Sequence, residues 1–225
     1  MLKSMLSVVL ALVMLLSAAA YHAEAEAVRY YHDIRESVTD CQVSLRYLRE
    51  GNLRYLAGAS VDRGSFAEAR EILGEAQRPF AVIVTCSDSR VAPEIYFDQG
   101  LGDIFVIRNA GNFADETTLG SIEFAVGHLG APLVVVVGHT ACGAVAGAMV
   151  DGAVFTENLH AVINRIRPVV ASEEDLAAAT AANIRHAVAR IQANPVVIEA
   201  APKVIGAIYD IVTGEVSFFE EEVTE

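Results

Sequence analysis

Apolar residues along this chain follow two different rhythms, and the change between them divides it. Between Val28 and Ala59, Val38, Leu45, Leu48, Leu53 and Leu56 recur at intervals near three, four and seven, which predicts helix. Gly51-Asn52 interrupts that pattern, so one helix is expected to end near Glu50 and another to start at or after Asn52. Phe66 to Leu73 forms a further short helical stretch. After it the apolar residues come in continuous runs, Phe80 to Val84, Ile104 to Ile107, Leu133 to Val137 and Val204 to Tyr209. Runs of this length suit strands buried on both faces. Helical segments separate them: Leu119 to Leu129, Cys142 to Val150 and Ser172 to Gln192, the last with Ser172 as its expected N-cap ahead of Glu173, Glu174 and Asp175. Strands alternating with helices predict an α/β fold with a mostly parallel central sheet covered by helices. The helices before residue 60 form an N-terminal arm, and Tyr209 to Phe218, turning at Thr213-Gly214, reads as an edge hairpin.

Residues 1–20 break both rhythms. Lys3 precedes an apolar run from Met5 to Ala20 interrupted only by Ser7 and Ser17, and Ala18-Ala19-Ala20 offers a small-residue cleavage site. That is the layout of a secretory signal peptide, with cleavage as late as residue 27 also allowed by Ala23-Glu24-Ala25 and Ala25-Glu26-Ala27. The expectation is export, to a periplasm first of all, with one domain over residues 28–225 and no stable membrane span after removal of the signal. Retention of the segment as an N-terminal membrane anchor is the alternative, although the run is slightly short of the roughly 20 residues a span needs.

Composition narrows the partners. The 225 residues carry a formal net charge of −13, which repels nucleic acid and anionic lipid. Three cysteines are too few for a disulfide scaffold. Cys41 falls in a helical pattern and reads as a small buried hydrophobe, whereas Cys86 and Cys142 lie just beyond apolar runs.

Ligands of open parallel sheets bind beyond the carboxyl ends of the strands. Val84 and Val137 are expected to end their strands, which would put Cys86 and His139 in the following loops, with Gly138 and Gly143 giving the backbone room to turn. Two sulfurs and one nitrogen, Cys86, His139 and Cys142, suit Zn2+ and leave a fourth position open. Asp88 is near enough to fill that position or to face a water there. Taken by spacing alone, buried structural cysteines fit the same residues. Other thiol chemistries fit less well: Ala92 stands six positions after Cys86, where a cysteine phosphatase needs arginine, and the chain has neither a Cys-x-x-Cys redox pair nor a Gly-x-Gly-x-x-Gly turn.

Six blocks between residues 46 and 219 resemble the β-class carbonic anhydrases. They are Leu48 to Tyr55 (LREGNLRY), Cys86 to Val91 (CSDSRV), Phe105 to Asn112 (FVIRNAGN), Gly120 to Val126 (GSIEFAV), Gly138 to Ala144 (GHTACGA), and Tyr209-Asp210 with Thr213-Gly214. The resemblance implies one Zn2+ per chain on Cys86, His139 and Cys142, and reversible hydration of carbon dioxide to bicarbonate and a proton. It implies that Asp88, held by Arg90, accepts a hydrogen bond from water on the zinc, and that Asp88 becomes a fourth ligand when the site closes. Gln77 would hydrogen-bond a substrate oxygen. Phe105, Phe124 and Val91 would give the substrate pocket its apolar walls, Phe124 standing where relatives often carry Tyr and so keeping the ring without the hydroxyl. Ile83 replaces the Trp of an inhibitory bicarbonate pocket found in some members, so that regulation is not expected. A homodimer or higher homo-oligomer is implied as well. Because two thiolates quench the ion's charge, activity is expected to rise through the mildly alkaline range. Two other readings use the same residues: hydrolysis of a CO2 analogue such as carbonyl sulfide or carbon disulfide, and a non-catalytic zinc-binding scaffold.

Overall fold

The computed structural model describes residues 38–61 and 66–219. The signal-like segment and the part of the predicted arm before Val38 lie outside the described residues. Four parallel strands form the body of a five-stranded sheet of order β2-β1-β3-β4-β5, in which β5 runs antiparallel at one edge. The strands are β1 (Ala81–Cys86), β2 (Ile104–Asn109), β3 (Leu133–His139), β4 (Lys203–Tyr209) and β5 (Val216–Phe218). This is the predicted α/β architecture, edge hairpin included.

Central strands β1 and β3 are buried at every position, so their apolar runs do not alternate. Successive side chains still point to opposite faces. Ile83, Val135 and Val137 join one apolar cluster, where α1 (Cys41–Leu56) packs through Leu45 and Leu48. Val82, Val84, Val134 and Val136 join a second cluster on the opposite face. That face is covered by α4 (Glu116–Glu123), the π-helical turn that extends it over Phe124–His128, α7 (Leu176–Gln192) and α8 (Pro195–Ala200). A third cluster, built by α5 (Gly143–Met149), α6 (Glu157–Val170) and α7, surrounds Cys86 and Cys142. Two short helices complete the fold, α2 (Phe66–Leu73) and α3 (Pro93–Tyr96).

Four sequence-based boundaries are corrected. The helix expected to break at Gly51-Asn52 runs unbroken from Cys41 to Leu56. A Cβ on Gly51 would overlap the Phe97 carbonyl oxygen, so the glycine is there for close packing. Strands β1 and β3 each continue two residues past the expected end, so Cys86 and His139 are the last residues of strands. α7 begins at Leu176 and its N-cap is Asp175, whose carboxylate accepts from the Ala178 amide at 2.8 Å; Ser172 precedes it. Finally, α6 was not predicted. Its buried Ile163, Ile166 and Val170 keep helical spacing, but Pro168 inside its last turn reads as a helix stop.

Candidate metal centre

Cys86 ends β1, His139 ends β3, and Cys142 caps α5 three residues later. The strands lie side by side in register, Thr85 opposite Val137, so their carboxyl ends bring Cys86 and His139 together. Ala141 takes a left-handed conformation, φ 55°, which turns the chain from strand to helix quickly enough to swing Cys142 back toward His139. Gly138 serves differently from expectation: its missing Cβ makes room for Ile184 of α7.

One ligand atom from each of Cys86, His139 and Cys142 lies within 4.8 Å of the others, and all three residues are buried. His139 Nδ1 is 2.9 Å from the Thr140 carbonyl, an arrangement in which Nδ1–H donates and the Nε2 lone pair is free. Thr140 is itself fixed to β4, its amide donating to the Tyr209 carbonyl and its hydroxyl accepting from the Ile211 amide. Nε2 is buried without a hydrogen-bond partner. A buried nitrogen left unpaired costs roughly 1–3 kcal/mol unless something else engages it. An ion between two sulfurs and that nitrogen would do so, and the donor set suits Zn2+.

The sulfurs are polarised by the backbone. Cys86 Sγ accepts from the amides of Gly111 at 3.3 Å and Asp88 at 3.4 Å. A hydrogen bond from Cys142 pulls the Cys86 thiol far down, burial opposes this, and His139 and the two amides add to it. Cys142, sharing a proton with Cys86 and buried, is pushed up, although the Val145 and Ala144 amides favour its thiolate.

Asp88 sits at the rim. Arg90 holds it with a fork, Nε to Oδ1 at 2.9 Å and Nη2 to Oδ2 at 2.7 Å, while the Arg90 amide donates to Oδ1 at 3.0 Å. The guanidinium keeps the carboxyl well below the usual carboxylate range, against the opposing effect of burial. Oδ2 is 4.0 Å from His139 Nε2, so the carboxylate borders the cluster while turned toward Arg90.

The remaining predicted residues are dispersed within the chain. Phe105 of β2 and Phe124 lie 6.4 Å apart between ring centroids, and Phe124 is 46% exposed. Val91 is fully buried in the cluster on the opposite face of the sheet from the one Phe105 packs against, so one chain does not assemble the three into a common wall. Gln77 is exposed in the non-helical stretch before β1. Sequence reasoning gave no role to Arg108, whose guanidinium donates to the carbonyls of Cys86 and Asp88 at 3.1 and 2.8 Å and braces the backbone between them. Its place in the FVIRNAGN block was the available signal.

Two thiols and an imidazole gathered at the carboxyl edge of a parallel sheet, with a carboxylate–guanidinium pair beside them, define a class: α/β proteins whose strand ends carry a donor set able to hold one metal ion. Comparison with known proteins gives the family. The family model described as carbonic anhydrase matches residues 81–216. A carbonic anhydrase of Mycolicibacterium smegmatis is 47% identical over 126 residues, 55% of this chain; the match spans 61% of that relative's length. A carbonic anhydrase of Pseudomonas aeruginosa is 32% identical over 193 residues, covering 76% of this chain and 86% of the relative. The β-carbonic anhydrase CafA of Aspergillus fumigatus superimposes with a TM-score of 0.64 at 27% identity, over 75% of this chain and 87% of that one. A structure described as one of two tetrameric β-carbonic anhydrases of Sordaria macrospora gives 0.62 at 26%, over 78% and 96%. The chain belongs to the β-carbonic anhydrase family.

Proposed function

We propose that the chain binds one Zn2+ through Cys86, His139 and Cys142 and catalyses the reversible hydration of CO2 to bicarbonate and a proton. The observation that carries this reading is the buried, unpaired His139 Nε2 facing two sulfurs, with Asp88 held at their rim by Arg90. Bound there, Zn2+ would supply the Lewis acidity that makes a water nucleophilic in the mildly alkaline range. The protein's own groups do the rest. His139 is held in one tautomer by the Thr140 carbonyl. Asp88 accepts a hydrogen bond from the attacking water and aligns it, since Arg90 leaves its carboxylate ionised and fixed in place. Phe105 and Phe124 offer an apolar surface to a substrate without charge, and the Gln77 amide donates to a substrate oxygen.

The same reading includes a homodimer or larger homo-oligomer. Edge strand β2 leaves Ile104, Phe105, Val106 and Ile107 half-buried, and Phe124 exposes nearly half its surface beside them. A second copy would cover these residues and complete walls that one chain leaves apart. Export, with residues 1–20 as signal, is supported by the apolar pattern of that segment, and N-terminal sequencing of protein from the periplasmic fraction tests it. Among the described residues no helix is long and apolar enough to cross a membrane.

The decisive experiment is zinc analysis of the purified chain together with stopped-flow CO2 hydration. One zinc per chain with rapid hydration is expected. Zinc without hydration overturns the catalytic reading, and a chain that takes up no zinc overturns the metal reading as well.

A further inference from the structure

Asn183 lies on α7, 72 residues from the nearest part of the site it touches, and is 2% exposed. Of its buried neighbours on that helix, Ala179, Ile184, Ala187 and Ile191 are small or apolar, and Thr180 bonds back to the Leu176 carbonyl of the same helix, so Asn183 is the buried polar side chain that reaches off it. Its Nδ2 instead donates to the Gly111 carbonyl at 2.8 Å. Gly111 is the third residue of a turn closed by the Asn112 amide on the Asn109 carbonyl, and its φ of 91° is open only to glycine at low cost. A Cβ there would also collide with Ile166 Cδ1 and press on Ala144, next but one to Cys142. The turn therefore has no side chain of its own at Gly111 to hold it. Its carbonyl is tied to Asn183, and its amide is aimed at Cys86 Sγ, 3.3 Å away.

We propose that Asn183 is a positioning residue of the metal centre: by pinning the Gly111 carbonyl it fixes the amide that hydrogen-bonds the Cys86 sulfur, and so sets how strongly that sulfur donates electrons to the ion. The inference rests on the reading of Cys86, His139 and Cys142 as a metal site. Partners that orient metal ligands and polarise them are part of a centre's chemistry, and a sulfur relieved of an N–H bond is the stronger donor. The role differs from packing because it is felt in the electronic state of the bound ion.

Co2+ in place of zinc makes this visible through its thiolate-to-metal charge-transfer band. Asn183→Leu and Asn183→Ala, neither of which can donate a hydrogen bond, should both move that band to longer wavelength, because the electrons of a less polarised sulfur are promoted more easily. Thr180→Val, one turn earlier on α7, removes a hydroxyl that bonds only within the helix, to the Leu176 carbonyl, and should leave the band in place. A band at the wild-type wavelength in folded Asn183 variants overturns the proposal and leaves Asn183 a packing residue. Cd2+-loaded wild-type protein gives a test that needs no variant: a scalar coupling between 113Cd and the Gly111 amide proton is expected across the N–H···S bond, and its absence overturns the proposal. Wild-type protein that takes up neither ion defeats the metal reading itself, which is a different result from an unshifted band.

Discussion

At Asp88 one carboxylate faces two neighbours, and geometry decides between them. Arg90 meets both of its oxygens, while Oδ2 remains 4.0 Å from the nearest ligand nitrogen. Removing the guanidinium should let the carboxylate turn onto the ion and occupy the open position. Arg90→Ala is therefore expected to keep its zinc and lose about 10–100-fold in CO2 hydration at neutral pH, the usual scale for partners one step from a metal. Arg90→Lys should recover little, since an ammonium has no fork to hold both oxygens. Wild-type turnover in Arg90→Ala would remove Arg90 from the mechanism. His139→Ala has the opposite signature: zinc content should fall with activity, read by metal analysis after dialysis. Cys86, His139, Cys142 and the Asp88–Arg90 pair could be picked out in the sequence because short blocks of chemically distinctive residues carry them. The same blocks hold Gly111 and Thr140 without showing what they do, and Asn183 lies outside every block, since all three act through backbone groups whose partners lie on other elements.

Elements here are held by polar residues as well as by their apolar faces. Asp115 caps α4, its Oδ1 accepting from the Thr118 amide at 2.9 Å and the Thr117 hydroxyl at 2.8 Å. Burial works against its carboxylate, yet these bonds and Arg165 hold its pKa below the usual value. A depressed carboxyl stabilises the fold above its unfolded pKa of roughly 3.9, and that contribution is lost as pH falls through the folded value. Asp115→Ala should thus cost about 1 kcal/mol at pH 7. The gap to wild type should close below about pH 4, measured by urea unfolding across pH. Asn52 is the larger case. Its amide donates to the carbonyls of Tyr96 and Gly214, both at 2.9 Å, and its oxygen accepts from the Val216 amide at 3.0 Å, joining α1, α3 and the β4–β5 hairpin. Asn52→Ala leaves those buried backbone groups unpaired, and a loss of about 2–4 kcal/mol is expected from denaturant melts. In the sequence, Gly51-Asn52 looked like a helix stop, because glycine and asparagine end helices when nothing else needs them. In the fold, one admits the Phe97 carbonyl and the other ties three segments together.

For the whole molecule, the open side of the sheet matters most. Among the described residues strand β2 pairs only with β1, and Phe124 on the Phe105–Phe124 surface beside it is 46% exposed. If a second copy covers it, a charge there should prevent association. Phe124→Lys, at the exposed ring of that surface, is expected to sediment as a folded monomer where the wild type sediments as a dimer or larger, and an unchanged size would place the interface elsewhere. The apolar runs determined a mostly parallel sheet, since only strands buried on both faces need them. The candidate ligands were marked in the sequence by the blocks that carry them, since spacing alone fitted buried structural cysteines as well. Tertiary structure alone decided what orients those ligands: the register of β1 and β3, the left-handed turn at Ala141, and the reach of Asn183 to Gly111. These depend on contacts between residues far apart in the chain, and a hydrogen bond to a backbone carbonyl leaves no periodicity for a sequence to display.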